Sequence, residues 1–172
     1  MKPFILSIDA GTTGITVVIV DKQASILKKY YREFTQYYPQ SGWVEHDAEE
    51  IWKVSHNLIQ SAFKDYQASN CIAIGITNQR ETTLIWDRET GKPIYNAIVW
   101  QCRRTQEICT NLKQAGHENL FREKTGLVID SYFSGTKIKW MLDHLDEAKE
   151  NAELGKLAFG TINSWLLWKL TG

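Results

Sequence analysis

The chain has 172 residues, 43% of them hydrophobic and 23% charged, with twenty Lys and Arg balanced by twenty Asp and Glu. That length supports one domain with a substantial core, and the balance of charge excludes a global field toward nucleic acid or an anionic membrane, so a small neutral or locally steered ligand fits better. No stretch approaches the ~20 apolar residues of a membrane span. Cys71, Cys102 and Cys109 form no CxxC pair and leave no complete disulfide framework, which points to a reducing cytoplasm. The first apolar run is interrupted by Asp9 too early for a signal peptide.

In chain order, Phe4 to Ile8, the turn Ala10-Gly11-Thr12-Thr13-Gly14 and Ile15 to Val20 read as a β-hairpin, with a third strand over roughly Ile26 to Phe34. The unbroken apolar runs suggest strands covered on both faces. Glycines at the hairpin turn can aim consecutive backbone N–H groups into an anion nest, with the Thr12 and Thr13 hydroxyls adding donors, a cradle suited to phosphate. Asp9 beside it suits a hydrated Mg²⁺ that accompanies a nucleotide. The plain alternative is an ordinary hairpin turn, and the stretch is not a P-loop because no Gly-Lys-Ser/Thr follows.

Asp47 and Glu50 form a capping-box pattern opening a helix to about Tyr66, whose face carries Ile51, Trp52, Leu58, Ile59, Ala62 and Phe63. His46 and His56 stand near or on it without metal-ligand company and read as a cap neighbour and a surface residue. Next comes Asn78-Gln79-Arg80-Glu81-Thr82-Thr83, fully polar between the apolar runs Cys71 to Ile76 and Leu84 to Trp86. Those flanks read as buried strands that deliver Arg80 and Glu81 near the interior. A guanidinium and a carboxylate side by side offer a fork of donors and a pair of acceptors, which suits a small ligand with several hydroxyls; an internal ion pair or a solvated loop is the structural alternative. Side chains alternate faces along a strand, so the two can share a ligand only if the backbone kinks between residues 78 and 83.

The turn Asp87-Arg88-Glu89-Thr90-Gly91 leads to a strand over Ile94 to Trp100, then a helix bearing Thr105, Ile108 and Leu112. Trp100 stands at a strand-to-helix junction, where an indole gives a flat apolar wall, or else belongs to the core. Arg103 and Arg104 read as a solvated helix start able to attract phosphate. A short helix over Leu120 to Gly126 is closed by the glycine. Tyr132 lies in the loop before a helix with Ser134 as N-cap and Ile138, Met141, Leu142 and Leu145 on one stripe. A cap at Asp146, a short strand at Leu157 to Phe159, and a helix from Thr161 through Leu170 complete the chain.

Three phrases together resemble the glycerol kinases of the FGGY carbohydrate kinase family: the stretch from Asn78 to Thr83, Asn96-Ala97-Ile98-Val99-Trp100-Gln101-Cys102-Arg103-Arg104-Thr105, and Gly126 to Asp130 with Tyr132 to Lys137. Asp9-x-Gly11-Thr12-Thr13, Gly42 to Asp47 and Trp165 to Gly172 match as well, so the resemblance covers essentially the whole chain. Xylulose and gluconate kinases of the same superfamily are not expected to carry the Arg80-Glu81 and Trp100-to-Arg104 phrases together. The resemblance implies an actin-like, ribonuclease-H-like α/β fold, a mixed sheet flanked by helices, incomplete relative to a two-domain architecture in which glycerol and MgATP meet in a cleft. By position it implies that Arg80 and Glu81 hydrogen-bond glycerol hydroxyls, Trp100 packs on the carbon skeleton and Tyr132 contacts a hydroxyl. It places Gly11, Thr12 and Thr13 on the phosphates of ATP or ADP, and Asp9 toward Mg²⁺ through water.

The same resemblance implies that the catalytic base and the adenine-binding domain lie beyond residue 172, that the parent protein is a cytoplasmic homo-oligomer, and that the 172 residues alone do not turn over. A non-catalytic polyol-binding module and a kinase for another sugar are the competing readings. Gly14-Ile15-Thr16 replaces the family's usual Ser-Ser-Arg, removing an arginine expected near the transferred phosphoryl group. Ala10 stands for a common glutamine and Ser131 for a common proline.

Overall fold

Polar turn residues interrupt the β-branched runs of the first thirty-odd residues, and the chain folds back at each interruption. The computed structural model describes residues 2–172. In it β1 (Phe4–Ala10), β2 (Gly14–Asp21) and β3 (Ile26–Glu33) pair antiparallel in sequence, and β5 (Cys71–Asn78) adds parallel to β1, giving the order β3-β2-β1-β5. The β2–β3 turn closes on Asp21, whose carboxylate accepts the N–H groups of Gln23 and Ser25 while Ala24 takes a left-handed φ of 62°. This mixed sheet is the ribonuclease-H-like start expected from the resemblance.

Helix α1 (Ala48–Asp65) packs on it with Ile51, Val54, Leu58, Ile59 and Ala62 buried, and α6 (Ile162–Thr171) joins it through the Trp165 indole N–H, which donates to the Ala48 carbonyl at 2.9 Å. Asp47 caps α1 as expected, accepting from Glu49 N–H at 2.8 Å and Glu50 N–H at 3.3 Å. The reciprocal arm of the capping box is missing because the Glu50 carboxylate accepts from the backbone and hydroxyl of Thr35 instead. Burial on both faces of the strands is not what forms. Phe4, Leu6, Ile8 and Ala10 are buried on β1, but Ile5 and Asp9 between them are exposed, as are Ile72 and Ile74 on β5. An apolar run records that a strand is apolar, not how many layers cover it.

The second sheet is antiparallel throughout, in the order β4-β7-β6-β8, formed by β4 (Glu45–His46), β6 (Thr83–Asp87), β7 (Ala97–Ile98) and β8 (Leu157–Thr161). The strand expected over Ile94 to Trp100 shrinks to two residues, and Tyr95 and Asn96 just before it turn their side chains to the Glu45 carboxylate. Around it lie α2 (Gln106–Gln114), α3 (Glu118–Thr125), closed by Gly126 at φ 73°, α4 (Ser134–His144) and α5 (Ala148–Glu153). Ile85, Ile98, Cys102, Trp140 and Met141 form the core here.

The contacts divide the chain into two units. One comprises the segment ending at Gln36, Asp47–Gln79 and Ile162–Gly172; the other comprises Tyr37–His46 and Arg80–Thr161. Among the described residues no helix is long and apolar enough to cross a membrane, and the three cysteines are free thiols.

Candidate polyol and phosphate sites

The polar phrase between β5 and β6 is a kink and not a strand. β5 ends at Asn78, β6 begins at Thr83, and Glu81 between them adopts φ 65°. For a residue with a Cβ that conformation costs of the order of 1–3 kcal/mol and persists only where the surroundings determine it. Here they do. The Glu81 carbonyl accepts from the Thr83 hydroxyl at 3.0 Å and from the Lys137 ammonium at 3.0 Å, while Oε2 accepts from the Ser134 N–H at 2.9 Å and the Ser134 hydroxyl at 2.7 Å. Ser134 was expected to cap α4 with its own side chain. Instead it is the first helical residue, and Glu81 supplies the anionic cap from 53 residues upstream, where the helix dipole favours a carboxylate.

The same helix orders Tyr132. Its carbonyl accepts a second bond from the Lys137 ammonium, and its N–H is held by Asp130 at 2.7 Å. Its ring meets the Trp100 indole edge-on at 5.8 Å between centroids, and Trp100 is tied in turn by its N–H to the Thr82 hydroxyl at 3.3 Å. Glu81, Trp100 and Tyr132, expected to act together, are thus gathered within one unit and half-buried. Arg80 departs from the expectation of a near-interior charge: it is exposed, and no ion pair joins it to Glu81, because the kink turns successive residues to different surroundings.

Several other charged groups of this unit are already committed. Arg104, expected at a solvated helix start, is the largest correction. Its side chain is 0% exposed and pairs with Glu45, 3% exposed, at 2.6 Å. Its guanidinium lies 3.8 Å from the Trp43 ring centroid and 4.7 Å from that of Trp140. Burial pushes the Glu45 carboxyl up, but the Asn96 amide, the Tyr95 hydroxyl and Arg104 outweigh it and hold the group below its ordinary value. Arg103, exposed as expected of a solvated helix start, donates through one guanidinium nitrogen to Asp130 at 3.1 Å and to the buried Ser131 hydroxyl at 3.0 Å, whereas Arg104 is not available to phosphate. His46, next to the Asp47 cap as expected, is fully buried, and desolvation pushes it down to about 4.

Lys137 closes the Tyr132-to-Lys137 phrase. It is wholly buried, and burial pushes its ammonium down to about 8 while the Glu81 charge pulls it back up. Its spacing of four residues from the core residue Met141 was the available signal, since i and i+4 share a helix face.

The phosphate candidates belong to the other unit. Asp9 is exposed near the end of β1, and Gly11, Thr12 and Thr13 form the β1–β2 turn. Neither glycine of this turn has positive φ, so an αR–αL nest does not form there. Close approach is what calls for them: a Cβ on Gly11 would lie 3.2 Å from the Gly14 carbonyl, and one on Gly14 would lie 2.7 Å from the Tyr31 hydroxyl and 2.8 Å from the Arg32 carbonyl. Thr16, where the family's arginine was expected, is half-buried on β2. Among the described residues no group of three or more His, Cys, Asp or Glu is arranged for a metal ion.

Residues 4–172 match the FGGY family of carbohydrate kinases, N-terminal domain. The chain belongs to that family. It is 56% identical to the glycerol kinase of Carboxydothermus hydrogenoformans over 99% of this chain and 35% of that protein, and 56% identical to that of Vibrio parahaemolyticus over 99% and 34%. The glycerol kinase of Plasmodium falciparum, in its crystal structure with ADP, superposes with a TM-score of 0.93 at 38% identity over 99% of this chain and 34% of that one. A gluconate kinase from Lactobacillus acidophilus shares the fold at 16% identity and a TM-score of 0.83. The chain therefore spans about a third of the length of the relatives it matches.

Proposed function

We propose that this chain is the polyol-reading part of a glycerol kinase that uses ATP to make glycerol 3-phosphate. The observation that carries the reading is a set of uncommitted polar groups beside an aromatic wall. In a unit where Arg103, Arg104, Glu45 and Lys137 are all paired, the Arg80 guanidinium, Glu81 Oε1 and the Tyr132 hydroxyl have no partner among the described residues. Glu81 Oε2 is anchored on α4, which leaves Oε1 to accept from a ligand hydroxyl without losing its position. Arg80 offers a fork of donors to hydroxyl oxygens, Tyr132 donates or accepts once, and Trp100 packs against carbon. Leaving such groups unpaired with the wrong substrate costs about 1–3 kcal/mol each, which selects a small polyol. The 56% identity to proteins named glycerol kinases supports this substrate over xylulose or gluconate.

The β1–β2 turn supplies the phosphate side of this reading. Gly11 lets the turn close on the Gly14 carbonyl, Thr12 and Thr13 add hydroxyl donors, and Asp9 presents one exposed carboxylate. One carboxylate fits Mg²⁺ held through water and nucleotide phosphates, the coordination that ion prefers. When bound, the ion neutralises charge developing on the transferred phosphoryl group. Thr16 in place of an arginine weakens that neutralisation, and it is the observation favouring the second reading, a polyol-binding module without turnover. The free thiols suit a cytoplasmic location.

The test is ATP-dependent phosphorylation by the full-length protein with glycerol, xylulose and gluconate as competing substrates, alongside the 172-residue chain alone. Preference for glycerol by the full-length protein and no steady glycerol 3-phosphate from the shorter chain are expected. Preference for a sugar would overturn the substrate, and steady turnover by the 172 residues would overturn their dependence on the remainder.

A further inference from the structure

We propose that Lys137 is a positioning residue for polyol recognition: from inside α4, its ammonium holds the Glu81 and Tyr132 carbonyls and so fixes where those two side chains meet the ligand. This rests on reading Glu81 and Tyr132 as polyol contacts. Three observations carry it. Lys137 is fully buried, yet no carboxylate forms an ion pair with it, and both its acceptors are backbone carbonyls of residues in the polyol wall. One of those carbonyls belongs to Glu81, whose left-handed backbone needs external restraint. Lys137 and Ser134 stand one helical turn apart, so a single helix end grips Glu81 by its carbonyl and its carboxylate together.

A neutral side chain of similar length would leave the Tyr132 carbonyl without its donor and Glu81 held at the carbonyl by the Thr83 hydroxyl alone. The αL turn could then relax toward ordinary backbone, moving the free Oε1 by more than a hydrogen bond tolerates. The titratable groups facing Lys137 are Glu81 from the kink, Cys102 from the loop after β7, Cys109 from α2 and Asp130 from the loop before α4. Burial brings its charge loss near pH 8. Deprotonation weakens both carbonyl bonds, because hydrogen bonds from a charged donor are the stronger ones.

The experiment is glycerol titration by calorimetry on the full-length protein, wild type, Lys137→Met and Glu81→Gln, between pH 6 and pH 10. Wild-type affinity is expected to hold up to about pH 8 and fall above it. Lys137→Met should bind about tenfold or more weakly, without that inflection and with unchanged affinity for ATP. Loss of the inflection in that variant assigns it to the lysine. Should Lys137→Met fail to fold, the wild-type profile decides: a flat profile to pH 10 overturns the proposal. So does Lys137→Met binding within twofold of wild type. If that happens while Glu81→Gln binds weakly, only the lysine's role falls; if Glu81→Gln binds like wild type, the polyol reading falls and takes the proposal with it.

Discussion

Replacing Arg104 with methionine tests whether the interior of the second unit is organised around a buried ion pair. The variant keeps the length and apolar stem of the side chain and removes the guanidinium that lies 2.6 Å from Glu45 and against the Trp43 and Trp140 rings. Glu45, 3% exposed, then keeps only the Tyr95 hydroxyl at 2.7 Å and the Asn96 amide at 2.9 Å. Removing one partner of a buried pair costs about 3–5 kcal/mol, and the two remaining donors favour the lower end. At roughly 2–4 °C per kcal/mol for a chain of this size, the unit should melt about 6–12 °C lower.

The pH dependence has a definite sign. In the wild type the Glu45 carboxyl is held below its ordinary value, so its contribution is present at neutral pH and lost as pH falls through the carboxylate range. Without Arg104, burial dominates, the carboxyl rises, and the variant is penalised most at high pH. The gap between the two proteins should therefore be widest above about pH 5 and narrow toward pH 3. Adding Glu45→Gln to Arg104→Met should recover most of the loss. Urea denaturation measures all three. An Arg104→Met protein within about 1 kcal/mol of wild type would refute the reasoning and make the pair no stronger than a surface one.

His46 should add its own acid sensitivity. It is neutral when folded, with its pKa near 4 against the ordinary 6.5, so the unfolded chain binds the extra proton and stability falls as pH drops below about 6.5. The loss should reach about 2 kcal/mol by pH 5, and His46→Gln should remove that share of it in thermal melts compared at pH 7 and pH 5; an identical pH response would refute it. Gly14→Ala should destabilise the first unit by about 1–3 kcal/mol, because a Cβ there meets the Arg32 backbone at 2.8 Å, which cannot swing aside as the Tyr31 hydroxyl can. Unchanged denaturant midpoints would show that β3 yields instead.

What the residues announced in advance was mostly local. Glycine and polar interruptions placed β1 to β3, Asp47 opened α1, and Gly126 closed α3 through its left-handed φ. The need for a kink at Glu81 followed from the alternation of side chains along a strand, and the kink is present. Arg104 was misplaced because burial of a polar group is decided by its partners, and the carboxylate it pairs with lies far away in sequence: Glu45 stands 59 residues before it. The grip of α4 on Glu81 spans 53 and 56 residues and leaves no periodic trace. Lys137 did leave one, a cation on the buried stripe, where a lysine needs acceptors to be tolerated. The glycines of the β1–β2 turn were found by position but for a different reason, since close approach and not handedness requires them.

The central claim is that Glu81, Trp100, Tyr132 and the neighbouring Arg80 form the surface that reads a polyol. The most direct measurement is the heat of glycerol binding to the full-length protein compared with Arg80→Ala and Trp100→Ala, at fixed pH and without nucleotide. The account predicts that each substitution weakens glycerol about tenfold or more, at least about 1.4 kcal/mol, while the melting temperature of Arg80→Ala stays close to wild type because Arg80 is exposed and makes no ion pair. Equal affinities for all three proteins would contradict it.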